Sequence, residues 1–114
     1  MSNVFETNDG ESNQLLKPLR VPSLADGLVQ TAKELIEDLP DWSLIECDEQ
    51  QGVLTCERSA RLLSGKSTVT IRLDSAEGIP STTVNLRSES QGGLRKGDRA
   101  NVIEFMRLFM RRVV

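Results

Sequence analysis

The sequence predicts an α+β fold, a two-layer sandwich in which two helices cover one face of a four-stranded antiparallel sheet, in the order α-β-β-β-β-α. Two segments carry apolar residues at helical spacing, one near residue 24 and one at the end of the chain. Between them lie four short β-prone segments, separated by turn-like stretches that contain Gly52, Gly65 and Gly78-Ile79-Pro80. Each of these elements has one apolar face, and such faces are buried by stacking a helical layer on a sheet.

Residues 1–20 are rich in Asn, Ser, Glu and Asp with little apolar periodicity. They bury too little to offset the entropy of ordering, so a mobile polar tail is expected, followed by one domain over 21–114. Pro22 and Ser23 open the first helix, with Ser23 and Asp26 in a capping-box pattern, and Pro40 closes it. At 100° per residue Leu24, Ala25, Leu28, Val29, Ala32, Leu35, Ile36 and Leu39 share a face, while Asp26, Gln30, Lys33, Glu34, Glu37 and Asp38 face away.

The strands are expected over Trp42 to Cys47, Val53 to Leu62, Ser67 to Asp74 and Thr82 to Glu89. In the third, Val69, Ile71 and Leu73 alternate with Thr68, Thr70 and Arg72; in the fourth, Val84 and Leu86 alternate with Thr83, Asn85 and Arg87. One sheet face is therefore buried and the other polar. The last helix runs from about Asp98 to the C-terminus and buries Val102, Ile103, Phe105, Met106, Phe109, Met110 and Val113, leaving Leu108 outside the stripe and exposed.

At 114 residues the chain is large enough to stand without staples. Its 14 basic and 17 acidic residues give no global reason to bind nucleic acid or anionic lipid. No apolar run approaches the ~20 residues of a membrane span, and Glu6, Asp9 and Glu11 make the N-terminus too acidic for a signal or transit peptide, so a cytoplasmic location is the expectation. Histidine and tyrosine are absent, which removes the commonest general acid/base and metal ligand and excludes a Ser-His-Asp triad; no metal and no cofactor is expected. Cys47 and Cys56 flank a turn and are expected as reduced thiols with no base to activate them.

Matching the apolar faces gives a register that places three polar rows on the open face: Glu57 with Thr70 and Asn85, Thr55 with Arg72 and Thr83, and Ser59 with Thr68 and Arg87. The last row, a guanidinium with two hydroxyls, has the makings of an anion site. The same register puts Arg58 on the buried side between Val69 and Leu86, where it needs a carboxylate such as Asp98 or a bulge that carries it to the edge.

The tract from Arg87 to Asn101 stands apart from the rest. It ends a strand, passes Gly92, Gly93, Arg95, Lys96 and Gly97, and opens the last helix, where unpaired amides favour anions. Its glycine spacing fits neither a phosphate-binding P-loop nor the dinucleotide fingerprint, and Asp98 reads as an N-cap. The run Val84-x-Leu86-Arg87-Ser88-x-Ser90, then Lys96-Gly97-Asp98 and Asn101 before Ile103 and Phe105, resembles the C-terminal signature of domain-of-unknown-function family 1499. Leu39-Pro40-x-Trp42 and the order of elements are also similar, so the resemblance runs from about Ser23 to Val114. It departs from the family by one residue between Asp98 and Asn101 and lacks the glycine usually found between them. The resemblance implies the grouping of Arg87, Ser88, Ser90, Asp98 and Asn101 but no activity.

A small non-enzymatic binding or accessory domain is thus expected, with a small anionic ligand held locally by Arg87, Ser88, Ser90, Lys96, Asp98 and Asn101. The alternative is a protein-interaction module that uses the open sheet face, Leu108 or an edge strand. An enzyme working through Asp98 and Arg87 is a third reading. The same Ser, Asp and Asn groups could instead satisfy one another and simply hold the corner.

Overall fold

The computed structural model describes residues 2–59, 66–75, 78–91 and 97–113. Six strands form one antiparallel sheet: β1 (Ser2–Glu6), β2 (Leu19–Val21), β3 (Trp42–Asp48), β4 (Val53–Arg58), β5 (Ser67–Ser75) and β6 (Thr82–Gln91). They run across the sheet in the order β1-β6-β5-β4-β3, with β2 also pairing β6. Helices α1 (Ala25–Asp38) and α2 (Asp98–Val113) pack on the inner face. The α+β class and the four strands between the helices match expectation, except that β4 ends at Arg58 where a strand to Leu62 was expected; Ala60 and Leu62 lie outside the described residues. The strand count differs: the segment read as a mobile tail supplies β1, a single 3₁₀ turn at Gln14–Leu16, and all but the last residue of β2.

That segment orders because β6 is long enough to take two partners end to end. Phe5 pairs with Ser88 and Glu6 with Arg87 in β1, while Leu19 pairs with Val84 and Val21 with Thr82 in β2. Few apolar residues suffice, since Leu16 and Val21 are buried and Phe5, Leu15 and Leu19 pack against the core. In the gap between the two strands the Thr7 N–H donates to the Leu86 carbonyl (3.0 Å), and the Leu86 N–H donates to Thr7 Oγ1 (3.1 Å). Backbone pairing that a polar sequence does not advertise thus outweighs the ordering entropy.

Helix α1 buries Leu28, Val29, Ala32, Leu35 and Ile36 as its periodicity predicts. Its N-cap is Leu24 with no side-chain cap bond, so the Ser23–Asp26 box does not form. The Ser23 carbonyl instead accepts from the Thr82 hydroxyl (2.7 Å), and Leu24, expected in the core, is half exposed at 50 %. Leu108 is corrected in the opposite sense, being half-buried and packed on the core. Between helices and sheet, Phe105 stacks on Phe109 (5.4 Å between ring centroids) and tilts against Trp42 (5.6 Å). Each such fully buried side chain contributes about 1.5–3 kcal/mol.

The faces of β4, β5 and β6 are as predicted, but the register slips by two residues: Ile71 pairs with Leu86 and with Leu54. A slip of two leaves every side chain on its own face, so hydrophobic patterning cannot detect it. The open-face rows become Thr55 with Thr70 and Arg87, and Val53 with Arg72 and Asn85. Arg58 lies opposite Trp42 and Ser67, at the polar end of the inner face rather than between Val69 and Leu86. Its Nε donates to Glu104 Oε1 of α2 (3.0 Å), an oxygen that also accepts from Trp42 Nε1 (2.7 Å), so the carboxylate partner is Glu104 and not Asp98. At the free edge, β3 carries a bulge between Leu44 and Glu46 that leaves Ile45 61 % exposed. Bulge and acidic residues blunt an edge against further pairing.

Candidate functional site

Of the six sequence-predicted site residues, the five that are described do not converge on one site. Ser88 and Ser90 stand two apart on β6 and so share its inner face, toward which α2 starts. Ser88 Oγ donates to Asp98 Oδ1 and Ser90 Oγ to Asp98 Oδ2, both at 2.6 Å, and Asn101 Nδ2 donates to Ser88 Oγ at 3.1 Å. All four are buried, from 0 % exposure for Ser88 to 6 % for Asn101. Both carboxylate oxygens are used. The Asn101 N–H reaches back to the Gly97 carbonyl (2.9 Å), which puts Asp98 inside the first turn of α2 with its side chain turned to the sheet. The chain therefore seats its own anion at the positive end of the helix, and charge-assisted hydroxyl bonds lock strand to helix.

The N-terminal segment closes this corner from outside. Phe5 lies opposite Ser88, the Arg99 guanidinium stands 4.7 Å over the Phe5 ring, and Arg99 also bonds Glu11 at 2.6 Å. Lys96, with Gly92, Gly93 and Arg95, lies outside the described residues.

Arg87 parts from this group because it is odd-numbered on a strand whose even positions face inward. It lies on the open face between Glu6 and Thr70 and bonds Glu89 at 3.2 Å. There it borders a cleft of about 320 Å³ lined also by Glu6, Thr70, Arg72, Asp74 and Asn85 and reaching Leu86. The cleft lies where the edge of the sheet passes from β1 to β2. Thr7 is buried in that gap and its hydroxyl donates to Asn85 Oδ1 (2.9 Å), which leaves the Asn85 amide NH₂ as the donor on offer. Among the described residues Arg72, Asp74 and the Glu6 carboxylate make no ion pair and no side-chain hydrogen bond.

Sequence reasoning found Arg87 and its hydroxyl neighbours in kind but missed the cleft. The signal was present in Arg72, Thr70 and Asn85, which the correct register brings beside Arg87. Glu6 and Thr7 were beyond reach once residues 1–20 were read as a tail.

The thiols are not part of either place. Cys56 is opposite Leu44 and fully buried, Cys47 is opposite Leu54 and half-buried, and both are free. Burial, reinforced by Cys47, pushes the Cys56 thiol from 9.0 up to about 12, which keeps it protonated and inert. Among the described residues no three Cys, Asp or Glu side chains gather as a metal cradle, and no helix is long and apolar enough to cross a membrane.

No family model matches the chain, and no curated protein is similar to it in sequence. Solved structures are similar in shape. A norcoclaurine synthase from Thalictrum flavum, in complex with a transition-state analogue, superposes with a TM-score of 0.57 over 98 % of this chain and 96 % of its own, at 12 % identity. Ara h 8.0201 gives a TM-score of 0.56 over 98 % and 99 %, at 10 % identity. The fold is Bet v1-like. The Zhui aromatase/cyclase from Streptomyces sp. R1128 follows at 0.54 over 98 % and 86 %, again at 10 % identity. At these identities the likeness concerns the fold alone.

Proposed function

We propose that the protein is a small non-enzymatic binding or accessory domain whose ligand seats an anionic group on Arg72 and Arg87, in the cleft on the open face of the sheet. The observation that carries this reading is Arg72: an exposed guanidinium without an ion pair among the described residues, diagonal to Arg87 across the β5–β6 ladder, with Thr70 and Asn85 between them as hydrogen-bonding groups. The corner at Ser88, Ser90, Asp98 and Asn101 has a structural role in this reading. The Ser88 and Ser90 hydroxyl protons and both Asp98 oxygens are engaged within it, and an external anion would meet the Asp98 carboxylate. Membership of domain-of-unknown-function family 1499 belongs to the same proposal, supported by the way four of the signature residues join in one hydrogen-bonded unit.

Thermal unfolding against phosphate, sulfate, carboxylates and nucleotides tests the site. A ligand at ~100 times its dissociation constant adds about 2.7 kcal/mol of stability. The expected result is a rise in wild type that Arg87→Gln and Arg72→Gln each reduce without changing the unliganded melting temperature. A rise that survives both substitutions would remove the cleft from consideration.

A further inference from the structure

The cleft offers more than two cations. Glu6 faces Arg87 across the β1–β6 ladder, and Asp74 stands two residues from Arg72 on β5, so each guanidinium has a carboxylate near it on the cleft wall. Yet neither carboxylate is ion-paired: Arg87 turns to Glu89, and the side chains of Glu6, Arg72 and Asp74 make no ion pair or hydrogen bond among the described residues. A purely anionic ligand would be drawn to Arg72 and repelled by Glu6 and Asp74, and a purely cationic one would meet the reverse. At a few ångströms each such term is worth about 1 kcal/mol in water and several times that where water is partly excluded.

Size and lining narrow the class further. A volume of about 320 Å³ is at the small end of ligand sites, which run about 300–1,000 Å³. The lining has no aromatic side chain, and the chain's four aromatics are all turned inward, with Trp42, Phe105 and Phe109 buried and Phe5 packed on the core. A nucleobase or sugar ring would find no stacking platform.

We infer that the ligand is a small zwitterion, a free α-amino acid, whose carboxylate sits on Arg72 and Arg87 and whose ammonium sits on Asp74 or Glu6, with Thr70 and the Asn85 amide completing the donors. This rests on the anion-binding reading above and adds the second charge to it. Calorimetric titration with a panel of free L-amino acids, with acetate and methylammonium as half-ligands and sulfate as an ion of one sign, separates the two statements. The expected result is that at least one amino acid binds more than about tenfold tighter than acetate, methylammonium or sulfate, and that Arg72→Gln, Asp74→Asn and Glu6→Gln, all exposed, change its affinity, by about tenfold where a charge-assisted contact is lost. If acetate or sulfate binds as tightly as any amino acid, depends on Arg72 and ignores Asp74→Asn and Glu6→Gln, the zwitterion is refuted and the anion site stands. If nothing binds, or only methylammonium does, both are refuted.

Discussion

Replacing Asp98 by Ala tests the claim that the Arg87–Asn101 tract is an internal lock. The carboxylate accepts two hydroxyl bonds at 2.6 Å in a corner where it is only 4 % exposed. A hydrogen bond to a charged group contributes about 1.5–3 kcal/mol, and the Ser88 and Ser90 hydroxyls would be left buried without their acceptor, so the loss should be about 3–5 kcal/mol. For a domain of this size that is a large share of about 5–15 kcal/mol, and a melting temperature lower by about 12–20 °C. Urea unfolding of wild type, Ser90→Ala, Asp98→Ala and the double variant completes the test. Because Ser90 and Asp98 share one bond, the two substitutions should be less than additive by at least about 1 kcal/mol. A loss below about 1 kcal/mol for Asp98→Ala, or strict additivity, would refute the lock and reopen the corner as a binding site.

Three further outcomes follow from particular contacts. Gly52 has a φ of +68°, and a Cβ there would stand 2.5 Å from the Leu73 carbonyl oxygen, whose residue also donates its N–H to the Gly52 carbonyl; Gly52→Ala should cost more than about 2 kcal/mol in chemical denaturation. Because the folded Cys56 thiol ionises only near 12 while the unfolded one does so near 9, its contribution is complete below pH 9 and is lost as pH rises toward 12, by up to about 4 kcal/mol; Cys56→Ala should flatten that part of the stability profile, and in the native wild type an alkylating reagent at pH 8 should modify Cys47 alone. Glu104→Leu should shift Trp42 fluorescence and cost at least about 1–2 kcal/mol, since the indole N–H loses its acceptor and Arg58 its carboxylate at a half-buried position; an unchanged emission spectrum would mean that the Trp42–Glu104 bond does not form in solution.

The legible parts of this protein are those governed by local periodicity. The stripe Leu28, Val29, Ala32, Leu35 and Ile36 needed only the 3.6-residue repeat, and the inward alternation of Val69, Ile71 and Leu73 needed only the repeat of two. The grouping of Ser88, Ser90, Asp98 and Asn101 was implied by the family resemblance, and its physical reason is that hydroxyls two apart on a strand and a carboxylate opening the next helix can meet. Arg87 was misassigned to that set although its odd position on β6 already placed it on the other face.

By itself, then, the sequence determined the α+β class, the two apolar helix faces, and which side of each central strand is buried, because each is a property of residues within one turn or one pleat. The tertiary structure alone decided the two-residue slip, the carboxylate that Arg58 finds on Glu104, and the ordering of residues 2–21 along β6. Those choices depend on long-range backbone pairing, and a sheet edge recruits backbone amides and carbonyls whatever side chains they carry. The cleft bounded by Glu6, Arg72, Asp74 and Arg87 exists only because β1 stops where it does and β2 takes over.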